Sequence, residues 1–477
     1  MNHILNLDAT AIAEGIRKGE YTSLEVTNTF IEHAELANLQ INAITENRFE
    51  QARQEAIEAD LKLKSGASVG KLHGVPISVK DCFHIQGMAT LAGLPFRKGM
   101  IEAEDADVVK ALKEEGAIVI AKTNTPPLCF CQETDNKLTG LTRNPWNLDC
   151  SAGGSSGGEG ALMAVGGAAV GLGADIGGSI RFPSHFNGIV GFKSGNRQVS
   201  ADGNFPFVSI PEQDRMLGIG AMGKSVRDAQ LVNEIISGKR KAFVDLSKFR
   251  LIMPGKIEGV PLSEHTYESM QGLLNKLKAD FEVKEEVPPN FKESAIIWQE
   301  LMSINGGRHI KVLLSEDGKS SPVLEYIKER FTRNSELHHY LTWALIGVSL
   351  FKPSVEKLAE IRKLLIDGDR KLDKYFESSI VILPVYHEAA QKHGKLYKEI
   401  FSIKKSFKKY MPYIAYANVW GLPSLTVPLG KDEQGMPIGV QFISKVGNED
   451  ALFQFGEWFE ENIYRYERCS SYDLVKV

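Results

Sequence analysis

Residues 153–184 read GGSSGGEGALMAVGGAAVGLGADIGGSIRFPS, and no other stretch restricts the fold so strongly. Glycine lets backbones pack closely and enter turns closed to other residues. Close packing alone does not account for two of the runs, GGSSGG and DIGGS, each of which presents a serine among glycines. A phosphate-cradling loop would need G-x-x-x-x-G-K-[ST], and no Lys-Ser or Lys-Thr closes this run. A dinucleotide-binding turn needs G-x-G-x-x-G, and Gly171-Leu172-Gly173 meets Ile176 at the third glycine position. A nucleophile elbow, G-x-S-x-G, matches at Gly153–Gly157 around Ser155. Such an elbow follows an apolar strand, however, and the preceding RNPWNLDCSA reads as loop. Successive glycines before Ser179 let several N–H groups point at one spot, which is what an oxyanion hole requires.

A serine hydroxyl needs a base to become a nucleophile. The nearest histidines, His73, His84 and His185, carry no local triad signature. Lysine is the alternative. Lys80 ends the apolar segment HGVPISVKDCF, where a charged residue is costly unless it has a partner or a task. Removing an ammonium from water favours the neutral amine, which can serve as a base. An ion pair with Asp81 explains Lys80 equally well at this level. His387-Glu388 opens like the zinc motif H-E-x-x-H, but residue 391 is Gln. Cys129 and Cys131 form a C-x-C pair without a second pair at metal spacing, so no metal or cofactor is expected.

Hydrophobic alternation at Val75, Ile77 and Val79 predicts a strand ending near Lys80-Asp81. Residues 8–64 read as helices, with Thr22-Ser23-Leu24-Glu25 as a capping sequence. Further expectations are a helix over 105–115, a strand at 118–120, loop over 133–160, a helix over 159–166 and a strand over 168–172. A strand–helix unit begins at Arg250, 290–375 is helical, 379–385 is a buried strand, and 424–429 with 437–443 forms a hairpin. Alternating strands and helices predict an α/β fold with a large mixed sheet covered by helices on both faces. No repeat or Pro/Ser-rich linker divides the chain. It reads as one domain over 1–477, with a catalytic core at about 70–235, a helical region at about 290–375 and C-terminal strands completing the sheet.

The net charge of −4 and scattered basic residues argue against a nucleic-acid surface. The cluster Lys404, Lys405, Lys408 and Lys409 reads as a solvated helix face. Five cysteines without framework spacing suit a reducing compartment. With neither a signal-like N-terminus nor a long apolar run, a cytoplasmic protein is expected.

The combination GVPISVKD, GGSSGGEGAL and GADIGGSIRFPS resembles the amidase signature family, over almost the whole chain and including the C-terminal GLPSLTVPLG and GMPIGVQFI. The NPW segment, GGSSGGEGAL and DIGGSIRFPS are most similar to the fatty-acid amide hydrolases. The resemblance implies an amidase fold and a Ser–cis-Ser–Lys triad: Ser179 as nucleophile, Ser155 as bridging serine and Lys80 as base. It further implies an oxyanion hole from the N–H groups of Ile176, Gly177, Gly178 and Ser179. Ser156 would support the triad by hydrogen bonding, and Asp175 and Arg181 would hold the nucleophile turn. The expected reaction is hydrolysis of a small-molecule carboxamide through an acyl-enzyme. The alternative is an A-type glutaminase subunit of a tRNA-dependent amidotransferase, whose relatives usually carry Thr and Gln where Ile176 and Phe182 stand. This sequence departs from the family at Ser194-Gly195, where Pro usually follows the lysine, and at Gly220-Ala221-Met222, usually G-P-M. The apolar segment 337–351, LHHYLTWALIGVSLF, reads as a buried core helix or as a hydrophobic lip for an acyl chain with peripheral membrane contact. Dimers are common in the family, and the sequence leaves the oligomeric state open.

Overall fold

The alternating run before Asp81 becomes a strand, Pro76–Lys80, whose residues are all buried. The computed structural model describes residues 2–314, 321–335, 337–400 and 406–473. In chain order the strands are β1 (Ile44–Asn47), β2 (Pro76–Lys80), β3 (Ile118–Thr123), β4 (Arg143–Asn144), β5 (Asn147–Ser151), β6 (Val170–Asp175) and β7 (Val190–Lys193). They continue as β8 (Gly218–Gly223), β9 (Arg250–Ile252), β10 (Val283–Lys284), β11 (Ser379–Pro384), β12 (Ser424–Lys431) and β13 (Pro437–Ile443).

Eleven of them form one sheet in the order β1-β3-β2-β6-β8-β7-β12-β13-β11-β9-β10. β3, β2 and β6 run parallel, the pairs from β6 through β11 are antiparallel, and β11, β9 and β10 are parallel again. The sheet is therefore mixed. Every residue of β2, β3, β6, β7, β8, β11 and β13 is buried, so both faces of the central strands are covered. The C-terminal hairpin appears as expected, with β12 and β13 paired antiparallel from Ser424 opposite Ile443.

Local signals explain several boundaries. Thr22 caps the helix Ser23–Ile41, its hydroxyl accepting from the Glu25 N–H at 3.0 Å. Across 290–375 the described residues form helices, among them Ser294–Met302, Pro322–Thr332, His339–Leu350 and Val355–Tyr375. Lys408 and Lys409 are exposed on a short helix, Ser406–Tyr410, whereas Lys404 and Lys405 lie outside the described residues.

Four regions differ from expectation. The stretch 8–64, read as helices, is interrupted by the strand β1, which pairs antiparallel with β3. The 133–160 stretch contains the short hairpin β4–β5, and its helix begins at Gly157 rather than 159. The strand placed at 168–172 runs on to Asp175, delivering the chain directly to the serine turn. β7 and β8, VGFK and GIGAMG, show no readable alternation, because β7 is short and glycine fills half of β8. At Gly220 a Cβ would lie 1.9 Å from the Phe192 carbonyl oxygen, so strand contact itself demands glycine there.

Candidate active site

The end of β2 places Lys80 in the interior, 1% exposed. Its Nζ donates to Ser155 Oγ at 2.7 Å and to the Ala174 carbonyl at 3.2 Å. Asp81 is not its partner. Asp81 instead lies 3.1 Å from Lys122 Nζ and accepts the Leu91 N–H at 3.1 Å, and burial pushes its pKa up to about 6. Among the described residues no carboxylate pairs with Lys80. Its Nζ has a hydroxyl and a carbonyl as its hydrogen-bond partners among the described residues.

Ser155 follows a cis Gly154–Ser155 peptide and stands just before the helix Gly157–Val165. The Thr134 hydroxyl ties this loop down, donating to the Gly153 carbonyl at 2.9 Å and accepting from the Gly157 N–H at 3.1 Å. Ser156 links the two glycine runs: its N–H donates to the Ser179 carbonyl at 3.1 Å and its Oγ to the Ala174 carbonyl at 3.5 Å. The two runs, far from continuous in sequence, thus converge on the Lys80 amine.

Ser179 sits in the turn between β6 and the helix Arg181–Asn187, 4% exposed. Asp175 organises that turn from inside. Its carboxylate accepts the N–H of Gly178 at 2.8 Å and of Ile180 at 3.1 Å, and Arg181 Nε and Nη2 at 3.0 and 3.1 Å. Burial would raise the Asp175 pKa, but the Arg181 charge and hydrogen bonds hold it well below the ordinary carboxylate range. Arg181 is buried in turn. It donates to the carbonyl of Ile414 at 2.9 Å and to Gln441 Oε1 at 3.1 Å, and it also meets Asn418 Oδ1.

The carbonyls of the turn are each held by another element. Trp298 Nε1 donates to Ile176 O at 2.8 Å, Gln132 Nε2 to Gly177 O at 3.2 Å, and the Ser156 N–H to Ser179 O. Among the described residues no acceptor takes the N–H groups of Ile176, Gly177 or Ser179. The Gly178 N–H, expected to join them, donates to Asp175 instead. Glycine is required at 177, because a Cβ there would meet Trp298 Cζ2 at 2.5 Å.

A cavity opens over these atoms. Lys80, Ser155, Ile176, Gly177 and Ser179 line it, and its walls include Phe205, Leu217, Trp298, Met302, Trp343, Ile346 and Leu350. The 337–351 segment is neither wholly core nor wholly lip. Its helix buries Tyr340, Leu341, Ala344 and Leu345 and turns Trp343, Ile346 and Leu350 to the cavity. Tyr340 Oη donates to the buried Glu133 carboxylate at 2.8 Å, which also accepts the Gly394 N–H at 2.9 Å.

The histidines weighed against Lys80 lie elsewhere. His185 is buried between the N–H of Gly439, 2.7 Å from Nδ1, and the carbonyl of Glu388, 3.0 Å from Nε2, and burial lowers its pKa to about 4. His73 contacts the Ala59 carbonyl, and His84 sits beside Glu102. His387 lies 3.1 Å from Glu399, while Gln391 Nε2 and Lys395 Nζ occupy the flanking carboxylates Glu399 and Glu388 at 2.9 and 3.0 Å. All five cysteines are free, and Cys129 lines the cavity. Gln132, Trp298, Asn204 and His309 also line it, and no motif pointed to them. They come from connecting loops and from helices far along the chain, where spacing holds no signal.

The amidase family model matches residues 25–453. Fatty-acid amide hydrolase 2-B of Danio rerio is 33% identical over 97% of this chain and 92% of its own length. The A-type subunit of glutamyl-tRNA(Gln) amidotransferase from Endomicrobium trichonymphae is 27% identical over 100% of this chain and 99% of its own. Among solved structures, 6-aminohexanoate cyclic dimer hydrolase complexed with substrate superposes with a TM-score of 0.80 at 25% identity, covering 98% of this chain and 100% of the other.

Proposed function

The chain belongs to the amidase family, and on that premise we propose that it hydrolyses carboxamides bearing an apolar acyl group, with Ser179 as nucleophile. The observation that carries this reading is the buried Lys80 amine held 2.7 Å from Ser155 Oγ with no carboxylate partner among the described residues. Lys80 accepts the Ser155 proton as Ser155 takes the Ser179 proton, and Ser179 Oγ attacks the scissile carbonyl. The N–H groups of Ile176, Gly177 and Ser179 receive the developing oxyanion; Gly178 joins them only by releasing Asp175. Ser155 returns the proton to the leaving nitrogen as the C–N bond breaks. Water, activated along the same relay, then cleaves the Ser179 ester and restores the enzyme.

The apolar walls support an acyl chain as the substrate's larger part. They are less suited to the side chain of glutamine, which the alternative, the glutaminase component of an amidotransferase, would have to admit. Leu350 is 68% exposed at the cavity and Phe331 is 81% exposed on the helix Pro322–Thr332. These residues support peripheral contact with a lipid surface from which such substrates are drawn. No helix among the described residues is long and apolar enough to cross a membrane.

Intact mass after exposure to an acyl fluorophosphonate tests the nucleophile. One adduct on the wild type and none on Ser179→Ala is expected, with amide kcat/KM falling about 10^3-fold or more in the variant. An adduct that persists in Ser179→Ala would transfer the role to another residue. Glutaminase activity appearing only with added partner subunits would favour the amidotransferase alternative.

A further inference from the structure

The cavity is apolar over most of its wall, and this makes its isolated polar groups informative. Gln132 spends its Nε2 on the Gly177 carbonyl, and its Oε1 is buried without a partner among the described residues. Gln213, also on the wall, donates to the Leu301 carbonyl at 3.0 Å. Asn204 carries a second such oxygen. The residue is 8% exposed, it lines the cavity, and its Oδ1 has no hydrogen-bond partner among the described residues. A buried carbonyl oxygen without a donor carries a desolvation penalty that a bound donor would remove.

The position of Asn204 states which donor. Asn204 is bridged to Phe83, and the next residue, Phe205, donates its N–H to the Cys82 carbonyl at 2.7 Å. The segment is therefore fastened to the chain just beyond Lys80. Lys80 and Ser155 form the proton relay, and the atom that must receive the returned proton is the leaving nitrogen. That nitrogen consequently lies on the Lys80–Ser155 side of Ser179, and the Asn204 segment lines the same cavity where the chain leaves Lys80.

We propose that Asn204 is a specificity-determining residue that accepts an N–H of the leaving group, so that the site selects amides retaining an N–H over esters and fully substituted amides of the same acyl group. The inference rests on the amidase reading and deepens it. When Ser155 protonates the nitrogen and the C–N bond breaks, the N–H bound to Asn204 Oδ1 stays on the departing amine. An ester oxygen has no hydrogen to offer and leaves Oδ1 buried without a partner.

The test compares kcat/KM for an N-alkyl amide and an alkyl ester sharing one medium-length acyl chain, in the wild type, Asn204→Leu and Asn204→Ser. kcat/KM covers the steps through acylation, where the leaving group is still present. The expected result is an amide-to-ester ratio lowered about tenfold in both variants, the scale of one hydrogen bond, with fluorophosphonate labelling of Ser179 retained. An unchanged ratio, or equal losses on both substrates, overturns the assignment while leaving the amidase reading intact. A wild type that cleaves the ester and no amide, or neither, overturns the reading and the assignment with it. Asn204→Ser, which adds no bulk, decides the question if Asn204→Leu fails to fold.

Discussion

The turn that carries Ser179 and the helices that roof the cavity are held by opposite means. At the turn, Asp175, Arg181, Asn418 and Gln441 form one buried polar network, and the carbonyls of Ile176, Gly177 and Ser179 are each bonded to a different element. The roof rests on apolar contacts such as Leu341 and Leu345 against Leu128, with the Tyr340–Glu133 bond as its buried polar anchor. It also leaves Leu324, Phe331 and Leu350 exposed. Charged groups at fixed distances specify where backbone N–H groups point. Apolar side chains specify only a volume, which can change without disturbing the chemistry.

Breaking the polar network should give the largest effect. Arg181→Met leaves the Asp175 carboxylate buried without its cation, and loss of about 3–5 kcal/mol is expected, read by denaturant unfolding. Fluorophosphonate labelling of Ser179 should fall with it. Unchanged stability would show that the network is not what holds the turn.

A smaller effect concerns Glu159, fully buried beside β2 and β3, accepting from Ser78 Oγ at 2.6 Å and Thr123 Oγ1 at 2.8 Å. Burial raises its pKa from 4.5 to about 7. The folded state therefore holds a proton that the unfolded chain has lost between these values. That stabilisation is fully present below pH 4.5 and disappears as pH rises through 7. Glu159→Gln should remove this slope and gain on the wild type, by on the order of 2 kcal/mol, between about pH 5 and 8. Parallel stability profiles would exclude Glu159 as the group responsible.

The smallest stability effect is expected in the roof. Trp343→Ala should raise KM several-fold for long-chain amides, with kcat for a short amide nearly unchanged and stability lowered by about 1 kcal/mol. Loss of kcat on short and long substrates alike would show that the roof, too, positions the reacting groups.

This contrast also sets what the sequence could reveal. Lys80, Ser155, Ser179, Asp175 and Arg181 lie in short motifs because a backbone turn and its capping carboxylate are local objects. The strand β2 was legible from its alternation, and the mixed sheet from the order of strands and helices. β7 escaped because it is short, and β8 because glycine erases alternation. Trp298 and Gln132 escaped for another reason: each meets the serine turn through a single hydrogen bond from a distant element, and a lone contact leaves no pattern along the chain. The length of 337–351 indicated a helix, but only its packing showed which face is core and which is cavity.

Trp298 has two duties in one side chain. Its indole nitrogen holds the Ile176 carbonyl, its ring abuts Gly177, and the same residue forms part of the cavity wall. On the proposed reading, a chain of the wrong width that pushed the ring aside would also disturb the peptide groups whose N–H groups receive the oxyanion. Selectivity exerted there would register in the turnover number before it registered in affinity: a poorly shaped molecule would still occupy the site, but as a slow substrate and a competitive inhibitor of good ones.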